Sequence, residues 1–338
     1  QSLATGRFDL AFVIVFLAPL LVIALTFNVL AADRDGGTLA LILSQPITAA
    51  RLAWTRAGLR AGLLALGFAL VTLAAYAFVH PDAQAMRVAL WIVVTAVYLG
   101  LWAAVAVWLA GLNRSSDFNL LTLLSAWLAV TLVVPALANL FAQTVAPTPS
   151  RLEYVNALRS AEIAANAESR ELLRGYLLDH PEIEARDEGR VAPFLKTYYL
   201  VQRSVEQATE PVRAEFDRQF ARQQSLLGAL AYLSPAMLMQ RILDDLAGSS
   251  LARQRRFERE VLALRGEFQD AVEPALMSGR RLSAAEFAAL PRYEFTEERA
   301  GEIAARLAAP GGALLVYLIV VALLATRRMR DFRPGNDD

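Results

Sequence analysis

Apolar residues in this chain are gathered into long runs instead of being spread along it at a helical or strand period. Five runs carry no charge: Leu10–Ala32, Ala61–Val79, Val88–Asn113, Phe118–Ala146 and Leu307–Thr326. Each approaches or exceeds the ~20 residues that a helix needs to cross about 30 Å of hydrocarbon. Helix is the expected form, because a backbone exposed to lipid must satisfy its own hydrogen bonds. One such run could be the buried core helix of a soluble protein, but five together argue against it. The pattern predicts an all-α membrane protein with five visible transmembrane helices. Pro19 and Pro135 fall inside two runs and are expected to kink them. Trp91, Trp102, Trp108 and Trp127 are read as packing or interfacial anchors.

Between the fourth and fifth runs the pattern changes. Thr144–Ser150, with Pro147 and Pro149, reads as an extended exit from the membrane. Helices are predicted over Arg151–His180, over Pro193–Ser225 with a boundary or kink at Pro211, and over the amphipathic Ser249–Ser278. Ser283-Ala284-Ala285-Glu286 has the form of a capping box opening a short helix. The more apolar Leu226–Leu246 is expected to lie against the membrane surface or the mouth of the bundle, where a re-entrant helix would control exit. Residues 1–145 thus hold four spans and a segment at 33–56, residues 146–306 form a large helical domain, and residues 307–338 form the last span and a basic tail.

Charge follows the same division. Of 33 basic and 33 acidic residues among 338, residues 150–308 hold 22 and 25. Lipid imposes such segregation, since a charge at the bilayer centre costs roughly 2.5–3.5 kcal/mol even on insertion scales. The net charge of zero gives no support for a nucleic-acid partner. There are no cysteines, which removes disulfides, thiolate metal sites and cysteine nucleophiles. With the N-terminus outside, the inner segments hold Arg34, Arg51, Arg56, Arg114, Arg327, Arg328, Arg330 and Arg333, and the outer ones Arg7 and Arg87. This asymmetry places 33–56 and the tail on the cytoplasmic side and the large domain outside. An outside start suggests a further span ahead of Gln1. A cleaved signal peptide over residues 1–32 is the rival reading, although its apolar stretch exceeds the usual 7–15 residues.

The loop after the first run is the most informative short stretch. In Asp33-Arg34-Asp35-Gly36-Gly37-Thr38-Leu39-Ala40-Leu41-Ile42-Leu43-Ser44-Gln45-Pro46, Asp35 through Thr38 offer turn and cap chemistry and Pro46 stops whatever helix follows. Leu39, Ile42 and Leu43 would form one apolar stripe on a two-turn helix, which is marginal alone and needs the bilayer or a partner to lie on. The string closely resembles the acidic–basic–acidic, Gly-Thr-Leu, Leu-Leu-Ser-x-Pro signature of ABC-2 type transporter permeases, with Asp33 and Asp35 where glutamates are usual. The resemblance implies a coupling helix that docks on an ATP-binding subunit through Asp33, Arg34, Asp35, Gly37, Thr38, Leu39, Ile42, Leu43, Ser44 and Pro46. Leu233-Ser234-Pro235-Ala236, Gln240, Leu246-Ala247-Gly248-Ser249-Ser250, Phe257 and Leu290-Pro291-Arg292-Tyr293-Glu294-Phe295 resemble a subfamily with a long extracytoplasmic domain of unknown function before the last span. Six spans, a bacterial inner-membrane location and a permease dimer, of two copies or two related chains, are further implications.

The sequence offers little chemistry of its own. A phosphate-binding loop needs Gly-x-x-x-x-Gly-Lys-Ser/Thr, yet the single lysine, Lys196, precedes Thr197 and follows Leu195. ATP and Mg are therefore expected in a partner subunit, with no cofactor in this chain. His80 and His180 are the only histidines. His180 with Glu182 and Glu184 is a weak metal candidate, and the better reading is a helix terminus stopped by Pro181. Arg253, Arg255, Arg256 and Arg259 form either a solvated face diluted by Glu258 and Glu260 or a contact for anionic lipid or substrate. No Gly-x-Ser-x-Gly or His-Glu-x-x-His motif is present. The expected function is the membrane-spanning subunit of an ABC-type exporter. The alternative is a non-transporting relative that transmits ATP-driven motion to an extracytoplasmic partner in signalling or assembly.

Overall fold

The computed structural model describes residues 9–78, 84–147, 150–181 and 189–332. These residues are helical with no strand, and five helices are long and apolar enough to cross a membrane: Leu10–Asp35, Ala49–Phe78, Ala85–Ala110, Ser116–Val145 and Ala300–Arg330. This is an all-α membrane protein. Its further helices are α1 (Leu39–Leu43), α2 (Arg151–Ala167), α3 (Ser169–Asp179), α4 (Pro193–Leu230), α5 (Pro235–Ala247), α6 (Leu251–Met277) and α7 (Ala284–Ala288). Contacts divide the chain into two units, one of Gln1–Leu140, Leu227–Arg253 and Glu297–Asp338, the other of Phe141–Leu226 and Gln254–Thr296.

The spans outrun the charge-free stretches. The second begins at Ala49, so Arg51, Arg56 and Arg60 lie in its first turns and 33–56 is not wholly loop. Arginine is tolerated there because its aliphatic stem lies along the apolar helix while the guanidinium reaches polar groups. Arg56 donates to the Val29 carbonyl at 3.0 Å and pairs with Asp33, and Arg60 donates to the Leu25 carbonyl. The fifth span starts at Ala300, before the charge-free run, for a similar reason described below.

Pro19 and Pro135 act through a widened turn placed just before each of them. The first span is π-helical over Val13–Leu17 and the fourth over Ala129–Val133. A proline removes an N–H and its ring crowds the carbonyl four residues back, and an extra residue in the turn relieves that crowding. Carbonyls released in this way need donors in a membrane. Tyr98 Oη donates to the Val15 carbonyl at 3.1 Å, Trp127 Nε1 to the Phe16 carbonyl at 3.2 Å, and Ser234 Oγ to the Val130 carbonyl at 2.7 Å. Both kinks are thus held by side chains from other helices.

The first and third spans form the centre of the first unit. Ile14, Ile23, Tyr98, Leu99, Leu123 and Leu314 are fully buried in its core. The second and fourth spans turn rows of leucines outward, among them Leu59, Leu63, Leu66, Leu121 and Leu137. The domain limits drawn from the sequence shift here. Helix α5 packs Ala236, Met239, Ile242, Leu243 and Leu246 into the bundle core, so 227–253 and 297–306 belong with the spans and not with the 146–306 domain.

The second unit is built from α2, α3, α6, α7 and most of α4. Its apolar core is small, with Ala165, Val201 and Val205 packed by Ala161 and Leu172. Polar ties supplement it. Glu273 on α6 accepts from Tyr176 of α3 at 3.1 Å and from Tyr199 of α4 at 2.9 Å, and it pairs with Arg203. The helix expected over Arg151–His180 is broken at Glu168, which ends α2 and opens α3. Pro211 lies inside α4 without ending it. Ser283 and Glu286 make both bonds of the capping box at the start of α7.

Candidate functional site

The first candidate is the stretch after the first span. The span's last turn, Ala31–Asp35, is followed by Gly36 and Gly37, and Gly37 takes a positive φ of 69° that favours glycine. Thr38 folds back, donating from its backbone N–H and its hydroxyl to the Asp33 carbonyl at 2.8 and 3.1 Å. All three charged residues are tied to the rest of the bundle. Asp33 pairs with Arg56, Arg34 Nη1 donates to Asn113 Oδ1 at 3.0 Å, and Asp35 Oδ2 accepts from the N–H and hydroxyl of Ser116 at 3.2 and 2.6 Å. One short string therefore ties the end of the first span to the ends of the second, third and fourth, and Arg328 of the fifth separately reaches the Gly111 carbonyl, at 3.2 Å. The acidic–basic–acidic order places one partner on each neighbouring helix.

The stripe on α1 faces inward. Leu39 is 3% exposed in the bundle core, Leu43 packs against that core, and Ile42 is half-buried. The surface the short helix needs is the chain's own bundle. The outward face instead carries Ala40, Leu41 and Ser44, followed by Gln45 and Pro46, with Leu41 72% exposed. The sequence pattern picks out the residues that anchor α1. Leu41, which interrupts the stripe, is the large apolar side chain that α1 leaves exposed.

The second candidate lies within the bundle. Ser234 caps α5, accepting from the N–H groups of Ala236 and Met237 at 3.2 and 3.4 Å while its hydroxyl reaches Val130, midway along the fourth span. Nearby, Tyr317 Oη of the fifth span donates to the Tyr232 carbonyl at 2.6 Å. At its other end α5 closes on Gly248, at a φ of 71°, and Asp245 accepts from Arg306 Nε at 3.0 Å. With ~1.5 Å rise per residue, Arg306 and Tyr317 are about 16 Å apart along the fifth span. Helix α5 therefore runs beside the half of that span nearest Ala300 and starts near mid-depth. It enters the bundle and returns on the same side.

Charges fasten the returning end. Arg306 grips Glu298 through two bonds of 3.1 and 3.0 Å, and the side chains of Asp245 and Glu298 are 5% and 7% exposed. Gln84 donates to the Glu298 carbonyl at 2.9 Å, and Glu297 binds both Arg87 and Arg253. This cluster is why the fifth span begins before its charge-free run, at Ala300. Burial holds the Asp244 carboxyl above the usual carboxylate range, with Asp9 and Asp245 adding to the shift and Gln240 opposing it.

Other candidates take structural roles. His180 caps the C-terminus of α3, its N–H bonded to the Tyr176 carbonyl at 3.0 Å and its ring 4.7 Å from that of Tyr176. Glu182, Glu184, His80, Arg7 and Arg333 lie outside the described residues, among which no group of histidines and acids could hold a metal. Of the arginines on α6, Arg253 and Arg256 pair with Glu297 and Glu260, and Arg255 lies over the ring of Phe220. A cavity of about 490 Å³ in the second unit is lined by Tyr176, Asp179, His180, Arg203 and Glu273 among others. Burial first, and then Glu273, pushes the neighbouring Tyr199 hydroxyl up to about 12, which keeps it a donor.

Residues 151–296 match the family described as a domain of unknown function, DUF3526. The match runs from the start of α2 to the end of the second unit and includes α5. No curated protein and no solved structure matches the chain.

Proposed function

We propose that the chain is the membrane-spanning subunit of an ABC-type exporter, of the ABC-2 class whose signature its Asp33–Pro46 string resembles. It would work in the bacterial inner membrane, with a separate ATPase subunit and a second permease chain. The observation that carries the reading is the construction of α1. A five-residue helix is tied by Asp33, Arg34, Asp35 and Leu39 to several spans at once, while Leu41 projects from it. A lever needs that combination, since a push on Leu41 is delivered to the ends of the bundle instead of being absorbed by a flexible loop. ATP and Mg would be bound by the partner, because this chain has no sequence able to form a phosphate-binding loop.

At the other end, α5 and the two π turns supply the parts that such a push could move. Packed helices switch between discrete arrangements, and a kink held by single side-chain bonds to Val15, Phe16 and Val130 is a place where a span can bend. The five charge-free runs hold no acid of the kind that ion pumping uses, so an apolar or amphipathic cargo fits better. The test is reconstitution with an ABC ATPase subunit that co-purifies with this chain, scoring which cargo stimulates hydrolysis. Stimulation by a soluble extracytoplasmic protein alone would favour the non-transporting alternative.

A further inference from the structure

We propose that the furrow between the second and fifth spans is a binding site for one anionic phospholipid of the leaflet facing the arginine-rich end. The two helices are joined there by Trp54 Nε1, which donates to Thr326 Oγ1 at 3.2 Å. The spans run antiparallel, so moving outward from this bond means moving back along one and forward along the other. Arg51 is one turn out from Trp54 and Arg330 one turn out from Thr326, which sets both at the same level on either lip, with Arg327 beside them. All three are exposed, and none has a carboxylate partner among the described residues. The other arginines at this end differ, since Arg34 and Arg56 are bonded to Asn113 and Asp33, Arg60 to a carbonyl and Arg328 to Gly111.

Below the arginines the furrow is shaped for a chain. Gly58 and Gly62 follow Trp54 at successive turns of the second span, and a Cβ added at either would meet nothing within 4 Å. On the fifth span, one and two turns back from Thr326, stand Leu323 and Ile319, both exposed. An unpaired cationic lip over an open apolar trough matches a phosphate headgroup over an acyl chain. Basic pockets between spans on the cytoplasmic side bind such headgroups. A second copy of the chain packed through Gly58 and Gly62 would satisfy the trough but would set like charges of the two lips against each other.

The test uses the full chain, purified in detergent, with phosphatidylglycerol or phosphatidylcholine added and retention read by native mass spectrometry. One phosphatidylglycerol is expected to be retained in preference to phosphatidylcholine. Arg51→Gln and Arg330→Gln should each lower retention about fivefold, from the usual contribution of one arginine near an anionic surface, and Arg51→Lys should restore most of it. Gly58→Leu should displace the lipid while leaving the arginines in place. Arg114→Gln is the control for charge alone, because Arg114 sits at the same end over Phe118 and on neither the second nor the fifth span. Equal retention of the two lipids, or an equal loss from Arg114→Gln, overturns the site. A dimer that Gly58→Leu dissociates, with lipid retention unchanged, overturns it in favour of a second copy.

Discussion

Replacing Arg306 by glutamine should release α5 from the bundle. The Arg306 guanidinium is the shared partner of Asp245 and Glu298, whose side chains are 5% and 7% exposed. Removing one member of a buried ion cluster leaves the others charged and desolvated, at about 3–5 kcal/mol. Arg306 itself is 26% exposed, so water takes up part of the loss and the low end of that range applies. About 3 kcal/mol corresponds to an opening equilibrium raised roughly a hundredfold. The chain has no cysteine, so Ile242→Cys supplies a single reporter at a position 0% exposed. Its labelling by an aqueous maleimide follows the population of the opened state when closing is fast. The rate should rise about a hundredfold in Arg306→Gln and fall back when Asp245→Asn and Glu298→Gln are added. A rate within twofold of the parent would refute the idea that this cluster fastens α5.

Three further outcomes follow from the same contacts. Ser234→Ala removes both the bond to Val130 and the cap of α5, and should destabilise the α5 contact by about 1–3 kcal/mol, read by labelling of Met239→Cys. Asp244→Asn should raise the unfolding temperature at neutral pH. The Asp244 carboxyl is held above its unfolded value of 3.8, so its charge opposes folding as pH rises through the raised folded value, and the gain should vanish as pH falls toward 3.8. Glu286 behaves oppositely. Bonds from Arg280 and then Ser283 hold it down at about 2, so its contribution to the second unit is present above 4.5 and lost as pH falls toward 2, and Glu286→Gln should abolish that dependence in a pH-resolved melting curve.

The spans were readable because hydrocarbon imposes a length and a composition that no other environment requires. Their ends were not, since Arg56, Arg60 and Arg306 are settled by distant carbonyls and carboxylates that a local window does not contain. The kinks at Pro19 and Pro135 were marked by the prolines themselves, whereas the donors that complete them, Tyr98, Trp127 and Ser234, come from elsewhere in the chain. The same limit explains α1. Periodicity finds the stripe Leu39, Ile42 and Leu43 but does not say whether it meets a partner or the chain's own core, and the structure assigns it to the core. Helix α5 shows the same limit: the apolar character of Leu226–Leu246 suggested the membrane surface or the mouth of the bundle, whereas Leu238, Met239, Ile242 and Leu246 are buried.

The central claim, that α1 is a lever for an ATPase subunit, is tested most directly by comparing Leu41→Asp with Leu39→Asp in the co-expressed complex. Leu41 is 72% exposed, so its substitution should leave the chain folded and inserted while the ATPase subunit no longer co-purifies and its hydrolysis is no longer stimulated. Leu39 is 3% exposed, and its substitution buries a carboxylate in the core, so the yield of folded chain should fall. Full co-purification and unchanged ATPase stimulation with Leu41→Asp would contradict the account.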